Sequence, residues 1–358
     1  MAVQNGIRQQ FATTPAESDP APELRLRINL NKVFRMSRTR RLAPAIALAG
    51  AAALALAGCS AGAPAPESED DGLIRVVAVT DVYGDVAQQI GGDRVSVTSI
   101  VSGTAVDPHD YEASTRDQLT VADADLVIVN GGGLDDFMDR LIAGSGTTAI
   151  VVNAVEASGL LPAGEAAADD HDHEHAEGDE HHHIEGFNEH VWYSLHGMEH
   201  IAEAIQAALV ELDPAGARDI EASGAEFLAQ LDALHDHAHD VERRIGGGDV
   251  VATEPVSAYL LADLGLTDVT PEAFLAAVEG GTGVGVGLLD QVLSLFTQND
   301  IRMLAENVQS GGPEAEQIRA AAVAAGVPVV AFSETLPGGE DYLSWMAANI
   351  EAVASALT

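Results

Sequence analysis

Thirteen histidines occur in this 358-residue sequence, and seven of them lie within DDHDHEHAEGDEHHHIEGFNEHVW, residues 169 to 192. Imidazoles interleaved with carboxylates form a nitrogen/oxygen donor set suited to divalent first-row metals. His171, His173, His175, His181, His182 and His183 sit with eight acids between Asp169 and Glu185, with no apolar periodicity around them. Residues 163–186 therefore read as a disordered loop. A loop of this kind binds zinc weakly and exchanges it quickly, because ordering entropy opposes a tight site. It is expected to collect or sense ions; an acidic solubilising linker is the alternative. The seventh, His190, precedes the apolar pair Val191-Trp192 and reads as a structured ligand.

Four positions stand at predicted strand ends or in the loops beyond them. They are His109 in GTAVDPHDYEAS, His190 in NEHVW, Glu254 in VVATEPVSAYLLADLGL and Glu334 in VVAFSETLPGGEDYLSW. A single His or Glu at such a place is usually solvated or capping. Two imidazoles and two carboxylates together suit one divalent ion. Two further pairs, His196/His200 and His235/His239, are spaced to share a helical face. Neither has the Glu directly after its first His that a metalloprotease helix requires, and both read as surface histidines. GGTGVGVG, residues 280–287, lacks the Lys-Ser/Thr of a phosphate-binding loop and reads as a flexible loop.

The elements that must position these groups alternate between apolar runs and amphipathic stretches. Strands are predicted at 73–80, 94–101, 123–131 and 147–154, with helices through Val86 and Ile90 and from Thr115. A helix over 195–214 ends at Pro214. Beyond it Ile220, Phe227, Leu231, Leu234, Ala238, Val241 and Ile245 form one stripe, predicting a long helix from 215 to 245 that GGG stops. Strands at 249–253, 301–306 and 327–332 follow. Helices are expected through Tyr259 and Leu264, from an N-cap at Thr270 before Pro271, over 313–325, and from Glu340 onward. Strands at helical separations imply two α/β lobes with parallel sheets, the long helix their spine, and ligands beyond the strands' carboxyl ends.

Composition narrows the function. The formal charge is −39; 9 of the 17 basic residues lie after Cys59, against 53 of the 56 acids. Such a field repels nucleic acid and attracts cations. Cys59, the only cysteine, excludes a disulfide framework and a cysteine-based zinc site. It follows Arg38, Arg40, Arg41 and an apolar run from Leu42 to Leu56, shorter than a stable membrane span. Leu56-Ala57-Gly58-Cys59 resembles a bacterial lipobox, in which the cysteine is lipidated and becomes the new N-terminus. The expected organisation is an N-terminal extension and signal peptide at 1–58, with Met1 and Met36 both candidate starts, then a tether at 59–72. An N-terminal lobe at 73–194, a helical linker at 195–248 and a C-terminal lobe at 249–358 complete it.

DPHDYEAS, NEHVW, the strand-Glu-helix segment ending YLLADLGL, and SETLPGGEDYLSWM occur in this order. They resemble the zinc- and manganese-binding solute-binding proteins of ABC transporters, the ZnuA/TroA-like family, over the chain from about Leu73 to its end. The resemblance implies two α/β lobes joined by a rigid long helix, with one metal in the cleft between them. By motif its ligands fall on His109, His190, Glu254 and Glu334; the last stands where the family commonly has Asp, a departure that lengthens the arm. A His-rich loop before the second ligand motif is also a feature of many zinc members.

The expectation is thus a non-enzymatic receptor at the outer face of the bacterial membrane, anchored through Cys59 and monomeric. It would capture Zn2+, with Mn2+ the alternative, and deliver it to an ABC permease and its ATPase subunit. Other readings are a surface adhesin or a lipid-anchored metallohydrolase; no motif marks the general base that a hydrolase needs.

Overall fold

The computed structural model describes residues 72–162, 184, 186–298 and 300–358, all within one contact unit. Cys59, the signal-like segment and the six loop histidines lie outside the described residues. The first lobe runs β1 (Ile74–Thr80), α1 (Asp81–Gly91), β2 (Val95–Val101), α2 (Thr115–Ala122), β3 (Leu126–Val129), α3 (Asp136–Ser145), β4 (Ile150–Asn153) and the single turn α4 (Ala154–Ala157). Its strands pair in parallel in the order β2-β1-β3-β4. The run IRVVAVT is buried at every position but Arg75, as expected of a strand with helices on both faces.

Two helices follow: α5 (Leu195–Leu212) and α6 (Ala217–Ile245). With 29 residues α6 is about 43 Å long. Its predicted stripe is buried, and one face meets both α1 of the first lobe and the closing helix of the second.

The second lobe comprises β5 (Gly248–Ala252), α7 (Ala258–Asp263), β6 (Leu266–Asp268), α8 (Glu272–Glu279), α9 (Val286–Gln298), β7 (Ile301–Asn307), α10 (Pro313–Ala325), β8 (Val329–Phe332) and α11 (Tyr342–Leu357). Its parallel order, β6-β5-β7-β8, repeats that of the first lobe. In each sheet the strand order reverses beside the first strand, and there the carboxyl ends open a crevice. Phe274, Phe296 and Ile318 form a separate core on one face of this sheet, and the other face joins the main core. The guanidinium of Arg302 donates to the Ile245, Gly247 and Leu357 carbonyls, so one cation serves the C-terminal ends of α6 and α11. Among the described residues no helix is long and apolar enough to cross a membrane.

Several expectations need correction. Thr270 does not cap α8: its hydroxyl accepts from Ala252 N (2.8 Å) and donates to Asp268 Oδ1 (2.6 Å), closing the edge of the sheet, and Pro271 takes the cap position. The three-residue β6 and helices α3 and α9 were not foreseen. GGTGVGVG remains a loop only as far as Gly285, after which α9 begins.

Candidate metal centre

Each of the four predicted cleft residues sits where a strand delivers it or in a loop beyond a strand end. His109 lies in the turn between β2 and α2, its backbone N–H held by Asp107 Oδ1 at 2.9 Å. His190 precedes the 3-10 turn Val191–Tyr193, whose aromatic residues are fully buried. Glu254 follows β5 by two residues and Glu334 follows β8 by two. The two sheets thus aim histidines and carboxylates at one another.

His109 Nε2 lies 3.4 Å from His190 Nε2, and Glu334 Oε2 lies 3.7 and 4.0 Å from those two nitrogens. His190 and Glu334 are buried and His109 is 15% exposed. Donors placed 2.0–2.1 Å from one tetrahedral ion stand roughly 3.3 Å apart. The imidazole pair already matches that edge, and the carboxylate needs to close by a few tenths of an ångström. His190 Nδ1 faces Asn188 Oδ1 at 2.7 Å, and Asn188 in turn donates to the Pro255 carbonyl (2.9 Å). This arrangement puts the proton on Nδ1 and leaves the Nε2 lone pair facing the cluster.

Glu254 stands apart from this trio. Asn307, the last residue of β7, donates through Nδ2 to Glu254 Oε2 and to Glu334 Oε1 (2.7 Å). One amide therefore bridges the two carboxylates. Glu254 borders an open cavity of about 350 Å³ between the loop at 281–284 and the segment 310–315 that leads into α10, with Ser310 also bonded to it. Of the four residues read from the sequence, three converge within 4.8 Å and Glu254 is held beside them through Asn307.

Glu279, at the end of α8, was missed. Its Oε1 lies 3.8 Å from His190 Nδ1, and with Glu189 and His190 it makes a second cluster. Burial, then Glu189 and Glu254, push its carboxyl up to about 9. Nothing in EAFLAAVE marks it off from a surface acid closing an amphipathic helix. Burial likewise raises Glu334 well above the usual carboxylate range, with Asp107 and Glu254 adding to it, and raises Glu254. Acids gathered at this density attract a dication, whose charge offsets their mutual repulsion.

Cross-lobe hydrogen bonds frame the trio. Gln309 donates to the Val106 carbonyl (2.7 Å) and accepts from Glu334 N (2.6 Å). Asp81 accepts from Leu336 N (3.0 Å) and Gly103 N (2.8 Å). Tyr193 donates to the Ser333 carbonyl (2.6 Å) and Tyr259 to the Asn188 carbonyl (2.7 Å).

A matched pair of parallel α/β lobes, spanned by one long helix and turning their strand ends toward each other, defines a two-lobed solute-binding architecture. Residues 76–356 match the family described as zinc-uptake complex component A, periplasmic (ZnuA), and the chain belongs to that family. It is similar to the manganese-binding lipoprotein MntA of Halalkalibacterium halodurans, 32% identical over 48% of this chain and 51% of that protein. It is also similar to the zinc-binding lipoprotein AdcA of Streptococcus pneumoniae, 25% identical over 80% of this chain and 56% of that one. The chain thus spans about half the length of the curated relatives it matches. The crystal structure of ZnuA shares its fold at TM-score 0.63 and 20% identity, over 80% of this chain and all of that one. The periplasmic zinc-binding protein TroA of Treponema pallidum does so at 0.62 and 19%, with the same coverage.

Proposed function

We propose that this protein captures a divalent first-row cation outside the cell membrane and hands it to an ABC permease with its ATPase subunit. His109, His190 and Glu334 are its ligands and Glu254 closes the set; the ion is cargo, and no turnover is involved. The observation that carries this reading is the convergence of three donors from both lobes within 4.8 Å. The relatives' names, zinc-binding and manganese-binding lipoprotein, support the class of cargo. Zinc is favoured, because the stability order places it above manganese at nearly any such site and because the 163–186 tract is rich in imidazole. Two carboxylates in the set favour manganese as the second reading. The lipobox-like segment and the relatives' description as lipoproteins support a location on the outer face of the membrane, with Cys59 as the anchor.

Titration calorimetry of the full chain with zinc and with manganese tests the proposal. The parent is expected to show one tight site, with zinc displacing manganese, and His109→Ala combined with His190→Ala is expected to abolish it. Removing residues 163–186 should delete weak zinc sites and leave the tight one. A tight site that persists in the double variant would falsify the assignment.

A further inference from the structure

The two helical histidine pairs outside the cleft lie on neighbouring helices that pack together. α5 and α6 form a hairpin through the turn at 213–216, and Gln206 of α5 covers Gly224 of α6. In an antiparallel pairing, ten residues back along α5 stand level with ten residues on along α6. His196 therefore lies beside Leu234 and His235. The His235 and His239 rings stack at 5.7 Å, and the His196 and His200 rings meet edge to face at 4.7 Å.

α7 packs on the same stretch of α6 and ends at Asp263. Glu242, one turn beyond His239, packs against Gly265 just past that end. The end of α7 thus meets the turn of α6 that follows His239, and the charges of His235, His239 and His196 act against the burial that raises the Asp263 carboxyl. Asp263 Oδ2 is buried and accepts no hydrogen bond among the described residues. Such an oxygen is unfavourable until a donor or a cation meets it.

We infer that His196, His235 and His239, with the carboxylate of Asp263, form a second site for a divalent transition cation of zinc type on the surface between α5, α6 and α7. Three imidazoles and one carboxylate are a donor set zinc accepts. Asp263 Oδ2 is buried, whereas His196 and His239 are more than half exposed and pair with Glu199 (3.5 Å) and Glu242 (3.3 Å) on their own helices, partners that an ion would replace. An ion here gathers its ligands on binding, so it binds more weakly than one in a preformed set. The inference does not rest on the cleft, since it shares no residue with it.

Histidine labelling of the full chain by diethyl pyrocarbonate, read residue by residue in a mass spectrometer with zinc alone as the probe, tests the site. Zinc is expected to slow labelling of His196, His235 and His239 at least fivefold. His237, which faces away to Glu351 at 2.8 Å, should be unaffected. Asp263→Asn should remove the protection, and His109→Ala with His190→Ala should leave it intact. The pair His235→Gln with His239→Gln, one half-buried and one exposed and neither in the core, should lower the zinc count by one. Equal labelling with and without zinc, protection that survives Asp263→Asn, or an unchanged zinc count in the histidine pair variant overturns the inference. Loss of protection in the cleft variant would show that the labelling reports the cleft, and overturns it as well.

Discussion

His109 Nε2 stands 3.4 Å from His190 Nε2 although 81 residues separate them in the chain. Two neutral imidazoles at that distance attract one another only if one carries its proton on Nε2; with both lone pairs turned inward, a shared cation is what holds them. Asn188 makes the arrangement possible by fixing the His190 ring. Asn188→Ala is therefore expected to weaken zinc binding about 10–100-fold, the usual cost of losing an orienting partner, while the fold remains intact. Calorimetry paired with a thermal melt separates the two effects. Unchanged affinity would mean that Trp192 packing alone sets the ring.

Glu334 and Glu279 both approach His190, from opposite nitrogens. Burial keeps Glu279 protonated at neutral pH, so glutamine reproduces its form and charge. Glu279→Gln is expected to change zinc affinity by less than about threefold, under roughly 0.7 kcal/mol. Glu334→Gln should lose about 100-fold or more, near 2.7 kcal/mol. Equal losses in the two variants would place Glu279 among the ligands.

Asp135 gives a pH dependence that is independent of the site. Burial raises its carboxyl to about 7, partly offset by the Asn130 and Gly131 N–H groups that it accepts. Between 3.8 and about 7 the folded chain holds a proton that the unfolded chain has released. Asp135 thus contributes stability that is complete below 3.8 and lost as pH rises through about 7. Asn cannot titrate and also loses one acceptor. Urea melts of Asp135→Asn and the parent should therefore differ most at low pH, with the gap narrowing toward neutrality. A gap that widens with pH would show the carboxylate to be ionised throughout.

Phe227 lies in the middle of α6, 2% exposed, with its ring 6.3 Å from that of Tyr342 in α11. Phe227→Ala removes the contact that seats the closing helix on the long one, and should cost about 3–5 kcal/mol. Chemical denaturation of the chain without metal would measure it. A loss below about 1 kcal/mol would mean that the neighbouring side chains collapse into the space.

The architecture was legible wherever one side-chain period dominates. IRVVAVT and the Ile220–Ile245 stripe each have one face, or both, to bury, and the sequence carries that pattern openly. β6 was not legible because Leu-Thr-Asp is too short to show a period, and α9 was hidden behind the glycines that precede it. His109, His190, Glu254 and Glu334 stood out by their places beyond strand ends and by the resemblance of the motifs around them, not by chemistry alone, since Asp107, Asp110 and Glu112 share the loop of His109. Glu279 and Asn307 did not, since an acid on a helix and an amide on a strand become neighbours of the site only through packing between lobes. The α5 and α6 histidines read as surface residues because Asp263, the group that gathers them, sits on a third helix.

Gln309, Asp81 and Asn188 button the rim of the crevice with single side-chain hydrogen bonds, each worth about 1 kcal/mol net, while the 29-residue α6 braces the rest. If the crevice carries the proposed cargo, release asks for no swing of whole halves of the molecule: loosening one edge, in the time range of ordinary loop motion, would open a way out.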